Sequence, residues 1–452
     1  MRTPFAEGKK RERDTFLRLS TSDQAKALRH IFFAERDAGK MPDDAKPRAI
    51  EKVGIIGAGT MGTGIAMTFA DAGVPATLID VSDEALQRGI DRVRKAYESQ
   101  LKRKRISEKD LAARVSLIET NTEYKALSDV DLIIEAAFES MDVKRAVFQE
   151  LDAVAKPGAI LATNTSYLDI DEIAATTSRP ADVVGMHYFS PANIMKLLEV
   201  VRGKQTAPDV LATALKIAKK TGKISVIAGV CHGFIGNRML RAYNREAGML
   251  LLEGASPDQV DGALRAFGMA MGPFAVADLA GIDIGYKARK EMEPGTFEPM
   301  AFIVHDKLVE AGHLGQKSGA GFYRYDPETR EKSEHAVVNE LLETARADAA
   351  VKPRVVEDKE IVARTMLALI SEGCWILDEG IAERASDIDV VYVHGYGFPR
   401  WRGGPMHYAM TIGWASVLEQ IREFEKGPFG RWWKPAPCLE KLAQGADLPT
   451  SS

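Results

Sequence analysis

The sequence has few cysteines, no long apolar run and no excess of positive charge. Its three cysteines, Cys231, Cys374 and Cys438, are far apart and form no Cys-x-x-Cys pair, so we predict neither a disulfide framework nor a metal site. No stretch approaches the roughly 18 apolar residues that a membrane-spanning helix needs. The formal net charge is −4, and nucleic-acid binding, which requires a basic surface, is not expected.

Targeting signals are also lacking. The first residues, MRTPFAEGKKRERDTFLRL, contain no apolar core of a secretory signal, and their acidic residues argue against a mitochondrial presequence. The last residues, LPTSS, do not match the peroxisomal tripeptide. The sequence therefore predicts a cytoplasmic location.

The chain of 452 residues is too long for one core, so two or three domains are expected. Short apolar runs rich in β-branched residues alternate with helical patterns up to KISVIAG at 223–229, and helical patterns dominate afterwards. Strands that alternate with helices indicate a mostly parallel sheet. We therefore predict an α/β plus all-α fold, with a Rossmann-type doubly wound sheet followed by two related helical domains.

A glycine-rich motif follows the first predicted strand. It consists of Gly57, Ala58, Gly59, Thr60, Met61 and Gly62. Gly-x-Gly-x-x-Gly between a strand and a helix is typical of dinucleotide binding, because the glycines permit a tight turn, close approach of a pyrophosphate and close helix packing. Asp80 ends the second predicted strand, where a carboxylate binds the ribose hydroxyls. Since Asp80 would repel the extra phosphate of NADP, we predict NAD as the cofactor. The alternative is a simple turn.

The predicted boundaries are a helical arm and linker at 1–48, an NAD-binding Rossmann domain at 49–230, a first helical domain at 231–326, a connector at 327–357 and a second helical domain at 358–452. The two helical domains are interpreted as a diverged duplication. Each has a long apolar helix ending in Glu-Gly, then a glycine- and proline-rich turn, FGMAMGPF at 267–274 or YGFPRWRGGPM at 396–406. The alternative is a coincidence between two amphipathic helices.

Polar residues end three of the predicted strands, at the edge where such sheets bind ligands. Among these residues, His187 is suited to remove a hydroxyl proton during hydride transfer, since imidazole titrates near neutrality. Glu199, on the next predicted strand, can orient and stabilise the imidazolium that forms. The alternative is that His187 is a structural residue at a strand end.

Two long motifs, GMHYFSPANIMKLLEVV and HGFIGNRML, resemble the 3-hydroxyacyl-CoA dehydrogenase family of fatty-acid β-oxidation. The resemblance is close over residues 50–325 and continues through 358–440 as a second helical unit seen in multifunctional members. It implies that His187 is the general base, with Glu199 as its partner. It further implies substrate contacts by Ser166 and Asn237, and cofactor contacts by Glu139, Lys144 and Lys317.

The resemblance implies NAD-dependent oxidation of (S)-3-hydroxyacyl-CoA to 3-oxoacyl-CoA. Two alternatives stay open: a dehydrogenase of the same fold that acts on a free 3-hydroxy acid or carnitine, and a non-catalytic NAD-binding protein. A basic run, Lys102, Arg103, Lys104 and Arg105, is a candidate for the coenzyme A phosphates, although a solvated helix face would look the same.

The opening segment resembles the linker that follows the enoyl-CoA hydratase part of multifunctional relatives, so no hydratase activity is expected of this chain. A thiolase is a candidate partner. In shorter family members one helical domain mediates dimerisation. The second helical copy could occupy that position within one chain, and we therefore favour a monomer over a homodimer.

Overall fold

A computed structural model describes residues 4–40, 45–290, 292–427 and 429–448. The chain divides into two compact units. The first comprises Met1–Asn237, Ile376–Tyr396 and Leu448–Ser452, and the second comprises Arg238–Trp375 and Gly397–Asp447. Each unit is therefore assembled from stretches that are separated in the sequence.

The strands are β1 (Val53–Ile56), β2 (Ala76–Ile79), β3 (Ile118–Asn121), β4 (Leu132–Glu135), β5 (Ile160–Thr163), β6 (Val183–Tyr188), β7 (Leu197–Arg202), β8 (Ile224–Gly229), β9 (Tyr323–Tyr325) and β10 (Lys332–Glu334).

The α-helices are α1 (Phe5–Ser20), α2 (Asp23–Asp37), α3 (Thr60–Asp71), α4 (Asp83–Lys102), α5 (Glu108–Ser116), α6 (Met141–Val154), α7 (Ile170–Ala174), α8 (Pro208–Lys220), α9 (Gly236–Glu253), α10 (Pro257–Phe267), α11 (Pro273–Ala280), α12 (Ile282–Lys290), α13 (Ile303–Glu310), α14 (Ala336–Asp348), α15 (Asp358–Asp378), α16 (Ala385–Gly395), α17 (Pro405–Ile412), α18 (Trp414–Glu425) and α19 (Pro437–Ala443).

The first unit is built on a sheet with strand order β3-β2-β1-β4-β5-β6-β7-β8 over the residues that the structure describes. Its neighbouring strands are parallel except for β6 and β7, which are antiparallel. The connection at 189–196 is too short for the crossover that parallel strands need, so β7 has to turn back along β6. The predicted α/β fold with a mostly parallel, doubly wound sheet is confirmed.

Burial explains which strands the sequence reveals. Strands β1, β2, β4 and β5 each have four residues, and all of these residues are buried. This burial gives the continuous apolar runs expected of strands covered on both faces. Strand β3, which lies at the edge of the sheet, was not predicted. Only Ile118 of its four residues is buried, so its polar sequence resembles a loop.

The N-terminal arm packs on α16 within the first unit. Ile31 of α2 is fully buried, and two hydrogen bonds between histidine and carboxylate side chains join the helices. His30 Nε2 lies 2.8 Å from Asp389 Oδ2, and His394 Nε2 lies 2.6 Å from Glu35 Oε1. Part of the predicted second helical domain thus belongs to the same compact unit as the sheet, and the five-segment division of the chain stays a prediction.

The second unit is mainly helical and has a buried ion-pair network between α9 and α15. Arg364 on α15 donates to Glu246 Oε2 at 2.9 Å and to Glu253 Oε1 at 2.8 Å. Arg245 also donates to Glu246, at 2.9 Å. Since Arg364 and Glu246 are almost fully buried, each charge depends on its partner to offset the lost hydration. Nowhere in the described ranges is there a helix with the length and apolar character required to cross a membrane.

We expect Arg364→Met to lower the free energy of unfolding of the second unit by about 3 kcal/mol, because it removes the buried arginine that pairs with both Glu246 and Glu253 and leaves Arg245 as the partner of Glu246 within the network described above. All five tryptophans of the chain lie in stretches of this unit, so urea unfolding followed by tryptophan fluorescence reports on it. Arg422→Met is the matched control, since the Arg422–Glu440 pair is about half exposed and should cost less than about 1 kcal/mol. Equal effects of the two variants would contradict the expectation.

Candidate active site

His187 and Glu199 form a buried pair on the antiparallel strands β6 and β7. The strand register places them directly opposite each other, and His187 Nδ1 lies 2.7 Å from Glu199 Oε2. His187 is 4% exposed and Glu199 is 0% exposed. Because a carboxylate only accepts hydrogen bonds, the neutral imidazole carries its proton on Nδ1 and leaves Nε2 free of a proton.

The second oxygen of Glu199 is held by the start of α9. Gly236 N–H donates to Glu199 Oε1 at 3.0 Å, so both carboxylate oxygens have a partner. A buried carboxylate with two donors keeps a fixed orientation. This arrangement fixes the plane of the His187 ring through its Nδ1.

Two phenylalanines flank the His187 ring. The ring centroids of Phe189 and Phe234 lie 4.5 Å and 5.7 Å from that of His187. Phe234 is fully buried and has φ +48°, a conformation that is strained for a bulky side chain. The sequence analysis did not single out Phe234, since nothing in HGFIGN reveals a left-handed backbone at that residue.

A second buried pair lies where β4 ends. Lys144 Nζ, on α6, lies 2.8 Å from Glu135 Oε1, and Thr163 Oγ1 at the end of β5 donates to Glu135 Oε2 at 2.8 Å. Glu135 and Lys144 are 0% and 1% exposed. The pair joins the carboxyl ends of β4 and β5 to α6. The family resemblance implied a cofactor contact for Lys144 but did not reveal this structural partner.

Glu139 organises the turn that contains Ser166. Its Oε1 accepts hydrogen bonds from Thr165 Oγ1 at 2.6 Å and Ser166 N–H at 2.8 Å, and Lys144 Nζ lies 3.5 Å from its Oε2. The structure therefore brings Glu139, Lys144 and Ser166 together at the carboxyl ends of β4 and β5.

Asn164 and Asn237 are each fixed by one hydrogen bond. Asn164 Oδ1 accepts the N–H of Tyr188 at 2.8 Å, which holds the backbone next to His187. Asn237, at the start of α9, accepts at Oδ1 a hydrogen bond of 2.8 Å from the hydroxyl of Tyr396. Tyr396 was not singled out from the sequence, because it lies far from Asn237 along the chain.

The glycine-rich turn has the geometry that a dinucleotide needs. Gly57 has φ +100°, where glycine is favoured. A Cβ at Gly62 would lie 1.7 Å from the Gly57 carbonyl oxygen, so only glycine lets α3 pack this close to β1. A Cβ at Gly59 meets no heavy atom of the described residues within 4 Å, so protein packing does not explain this glycine. Close approach of a pyrophosphate to the start of α3 does.

Asp80 follows β2 at the same edge of the sheet. Its Oδ2 accepts the N–H of Ala58 at 2.6 Å and its Oδ1 accepts the N–H of Val81 at 2.7 Å. These bonds orient the carboxylate and leave lone pairs on both oxygens for ribose hydroxyls. Val81 is 94% exposed and brings no positive charge that could hold a 2′-phosphate. The residues present therefore fit NAD.

Two predicted contacts, that of Lys317 with the cofactor and that of the basic run with coenzyme A, are not among the residues grouped above. Lys317 lies in the second unit, where its ammonium pairs with Asp283. The run from Lys102 to Arg105 is exposed at the C-terminal end of α4. Since α4 has 20 residues, about 30 Å of helix separates this run from the turn after Asp80.

A doubly wound sheet with a glycine-rich turn after β1 and an aspartate after β2 defines the class of nicotinamide-dinucleotide-dependent oxidoreductases. Comparison with known proteins is more specific. Residues 52–231 match the NAD-binding domain of 3-hydroxyacyl-CoA dehydrogenase, and residues 233–325 and 361–452 match its C-terminal domain. The chain belongs to the 3-hydroxyacyl-CoA dehydrogenase family, and its cofactor is NAD.

Three similar proteins illustrate the relationship. The peroxisomal bifunctional enzyme of Cavia porcellus is 41% identical over 99% of this chain, which spans 64% of that enzyme's length. The crystal structure of 3-hydroxybutyryl-CoA dehydrogenase from Escherichia coli is 27% identical with a TM-score of 0.74, covering 88% of this chain and 99% of that one. The dehydrogenase part of a multifunctional enzyme from C. elegans is 28% identical with a TM-score of 0.67, covering 91% and 96%.

The predicted cytoplasmic location is wrong. Close relatives are peroxisomal enzymes, and others are glyoxysomal. A targeting signal is a short peptide that a receptor recognises. Composition therefore left the compartment open, and the cytoplasm was only a default.

We expect Gly59→Ala and Gly62→Ala to fail in different ways. Gly59→Ala should leave the melting temperature of the cofactor-free protein unchanged and weaken NAD binding at least about tenfold, because its methyl group meets only the approaching pyrophosphate. Gly62→Ala should lower the melting temperature itself, since its methyl group collides with the Gly57 carbonyl. Thermal unfolding and NAD titration of both variants make the test. Unchanged NAD affinity in Gly59→Ala would disprove the pyrophosphate assignment.

Proposed function

We propose that the chain catalyses the reversible oxidation of (S)-3-hydroxyacyl-CoA to 3-oxoacyl-CoA in fatty-acid β-oxidation. The observation that carries the proposal is the His187–Glu199 pair at 2.7 Å, in the sheet whose carboxyl edge bears the glycine-rich turn. Family membership supports the thioester substrate, and the names of relatives, which include a fatty acid beta-oxidation multifunctional protein, support the pathway.

In the proposed reaction, NAD when bound supplies the ring that accepts the hydride from C3 of the substrate. Nε2 of His187 takes the proton of the 3-hydroxyl group, so the C3–O bond becomes a carbonyl. Glu199 holds Nδ1–H and stabilises the positive charge that the imidazole gains. In the reverse direction the same Nε2 returns the proton.

Ser166 and Asn237 are proposed to bind the oxygen atoms at the reacting end of the substrate. Ser166 follows β5 in the turn that Glu139 fixes through three hydrogen bonds. Asn237 follows Gly236, whose N–H is bonded to Glu199. Ser166 is therefore held by Glu139, and Asn237 is held next to the residue that binds Glu199. Such fixed positions are what preorganised hydrogen-bond donors require. Glu139 and Lys144 are proposed to lie along the cofactor, and Lys317 is also proposed as a cofactor contact.

A solvated helix face is the alternative to a proposed site for the coenzyme A phosphates at Lys102, Arg103, Lys104 and Arg105. Their exposure and their position at the far end of α4 favour a solvated surface.

A free 3-hydroxy acid or carnitine as substrate is the rival function. Oxidation of NADH by the purified chain in the presence of acetoacetyl-CoA distinguishes the proposed function from this rival. The rival function and a non-catalytic NAD-binding protein both predict no turnover.

We also propose the five-segment division at 1–48, 49–230, 231–326, 327–357 and 358–452, a monomeric chain and a thiolase as a functional partner. The two separate matches to one C-terminal domain support a duplicated helical unit, and the second copy could take the place of a dimer partner. Static light scattering should give the mass of one chain, 49.4 kDa. A stable mass of twice that value would refute the monomer.

His187→Gln should lower kcat by about 10² to 10⁴, because a glutamine amide cannot take the hydroxyl proton. NAD affinity should be unchanged. Glu199→Gln should also reduce kcat at least about 10²-fold, since the imidazolium loses its stabilising charge. Steady-state assays with acetoacetyl-CoA and NADH measure both.

His335→Gln is the matched control for these variants. His335 is a buried histidine of the second unit whose Nδ1 lies 2.8 Å from the Gly321 carbonyl oxygen, and its loss should leave kcat within about twofold of the unchanged protein. An active His187→Gln variant would disprove the base assignment.

A further inference from the structure

The last residue of the first unit's second stretch, Tyr396, reaches the candidate substrate residue Asn237. Tyr396 follows α16, and its hydroxyl donates a 2.8 Å hydrogen bond to Asn237 Oδ1. We propose that Tyr396 is a positioning residue, which fixes the orientation of the Asn237 amide toward the substrate. This inference rests on the proposed function.

The direction of the hydrogen bond determines what Asn237 can offer. A side-chain amide has an oxygen that accepts and an NH2 group that donates. With Oδ1 occupied by the Tyr396 hydroxyl, the amide presents its NH2 group to a ligand. Substrate carbonyl and hydroxyl oxygens need donors, so this orientation is the productive one. Without the hydroxyl, the amide could turn by 180° and present its oxygen instead.

Tyr396 itself is held on two sides. Its ring stacks on that of Tyr392 at 4.9 Å and meets the ring of Phe189 edge-on at 5.6 Å. Phe189 in turn lies against the His187 ring, at 4.5 Å. Burial and the nearby charge of Glu199 raise the pKa of Tyr396 well above its ordinary value. The hydroxyl therefore stays protonated and remains a donor.

The backbone at the start of α9 is shaped to accept this tyrosine. A Cβ at Gly236 would lie 2.4 Å from the Tyr396 ring, so glycine permits the close approach. The Gly236 carbonyl accepts a hydrogen bond of 3.3 Å from the Tyr392 hydroxyl, while its N–H is bonded to Glu199. One residue, Gly236, thus contacts both tyrosines and the carboxylate of the catalytic pair, and it directly precedes Asn237.

A double-mutant cycle tests whether Tyr396 acts through Asn237. Tyr396→Phe keeps the ring and removes only the hydroxyl. We expect it to lower kcat/KM for acetoacetyl-CoA about tenfold, the effect of one hydrogen bond, with the dissociation constant for NAD unchanged. In an Asn237→Ala background the same change should have less than about a twofold effect, because the group it positions is gone.

Tyr97→Phe is the matched control, because it also removes one buried hydroxyl of the first unit, bonded to Asp71 at 3.0 Å. It should leave kcat/KM unchanged, and thermal unfolding of all variants shows whether they are folded at the assay temperature. An unaffected Tyr396→Phe variant, or an equal loss in both backgrounds, would overturn the inference alone. A wild-type chain that does not turn over acetoacetyl-CoA would instead overturn the proposed function and the inference with it.

Discussion

The hydrogen bond between His187 and Glu199 is the constraint on which the site depends. Glu199 has no exposed surface, and a buried carboxylate is costly unless its oxygens are paired. The pairing requires β7 to run antiparallel to β6 with residue 199 opposite residue 187. It also requires the N–H of Gly236 at the other oxygen, which fixes where α9 begins and therefore where Asn237 lies.

The parts of the site that the sequence predicted are encoded locally. The glycine-rich turn and Asp80 occupy one strand-turn-helix-strand stretch, and their spacing is set by backbone geometry. His187 and Glu199 stand out because each is a titratable residue between apolar neighbours in a buried strand. The mostly parallel sheet was predicted from the short apolar runs that form its strands. The edge strand β3 escaped detection because burial, which creates the apolar signal, is absent from most of it.

The parts that the sequence did not predict depend on contacts between distant segments. Nothing near Asn237 reveals that a tyrosine more than 150 residues later bonds to it. Periodicity likewise could not show that α16 belongs to the same unit as the sheet, since an amphipathic pattern identifies a buried face without identifying what covers it. The Lys144–Glu135 bond and the left-handed backbone of Phe234 are local features, but they were not predicted either. The family resemblance named residues of the site but not these supports.

The two proposed helical copies, within residues 233–325 and 361–452, use a buried aspartate in different ways. Helices α10 and α16 both have 11 residues, and the fifth residue of each is a buried aspartate, Asp261 or Asp389. In the first copy, Asp261 accepts the backbone N–H groups of Phe274 and Ala275 and so caps α11. In the second copy, Asp389 pairs with His30 of the N-terminal arm. A buried aspartate thus caps a helix in the first proposed copy and anchors the N-terminal arm in the second. The same α16 leads to Tyr396 beside Asn237. Within the first unit, a few buried polar contacts therefore join α16 both to the arm and to the candidate site.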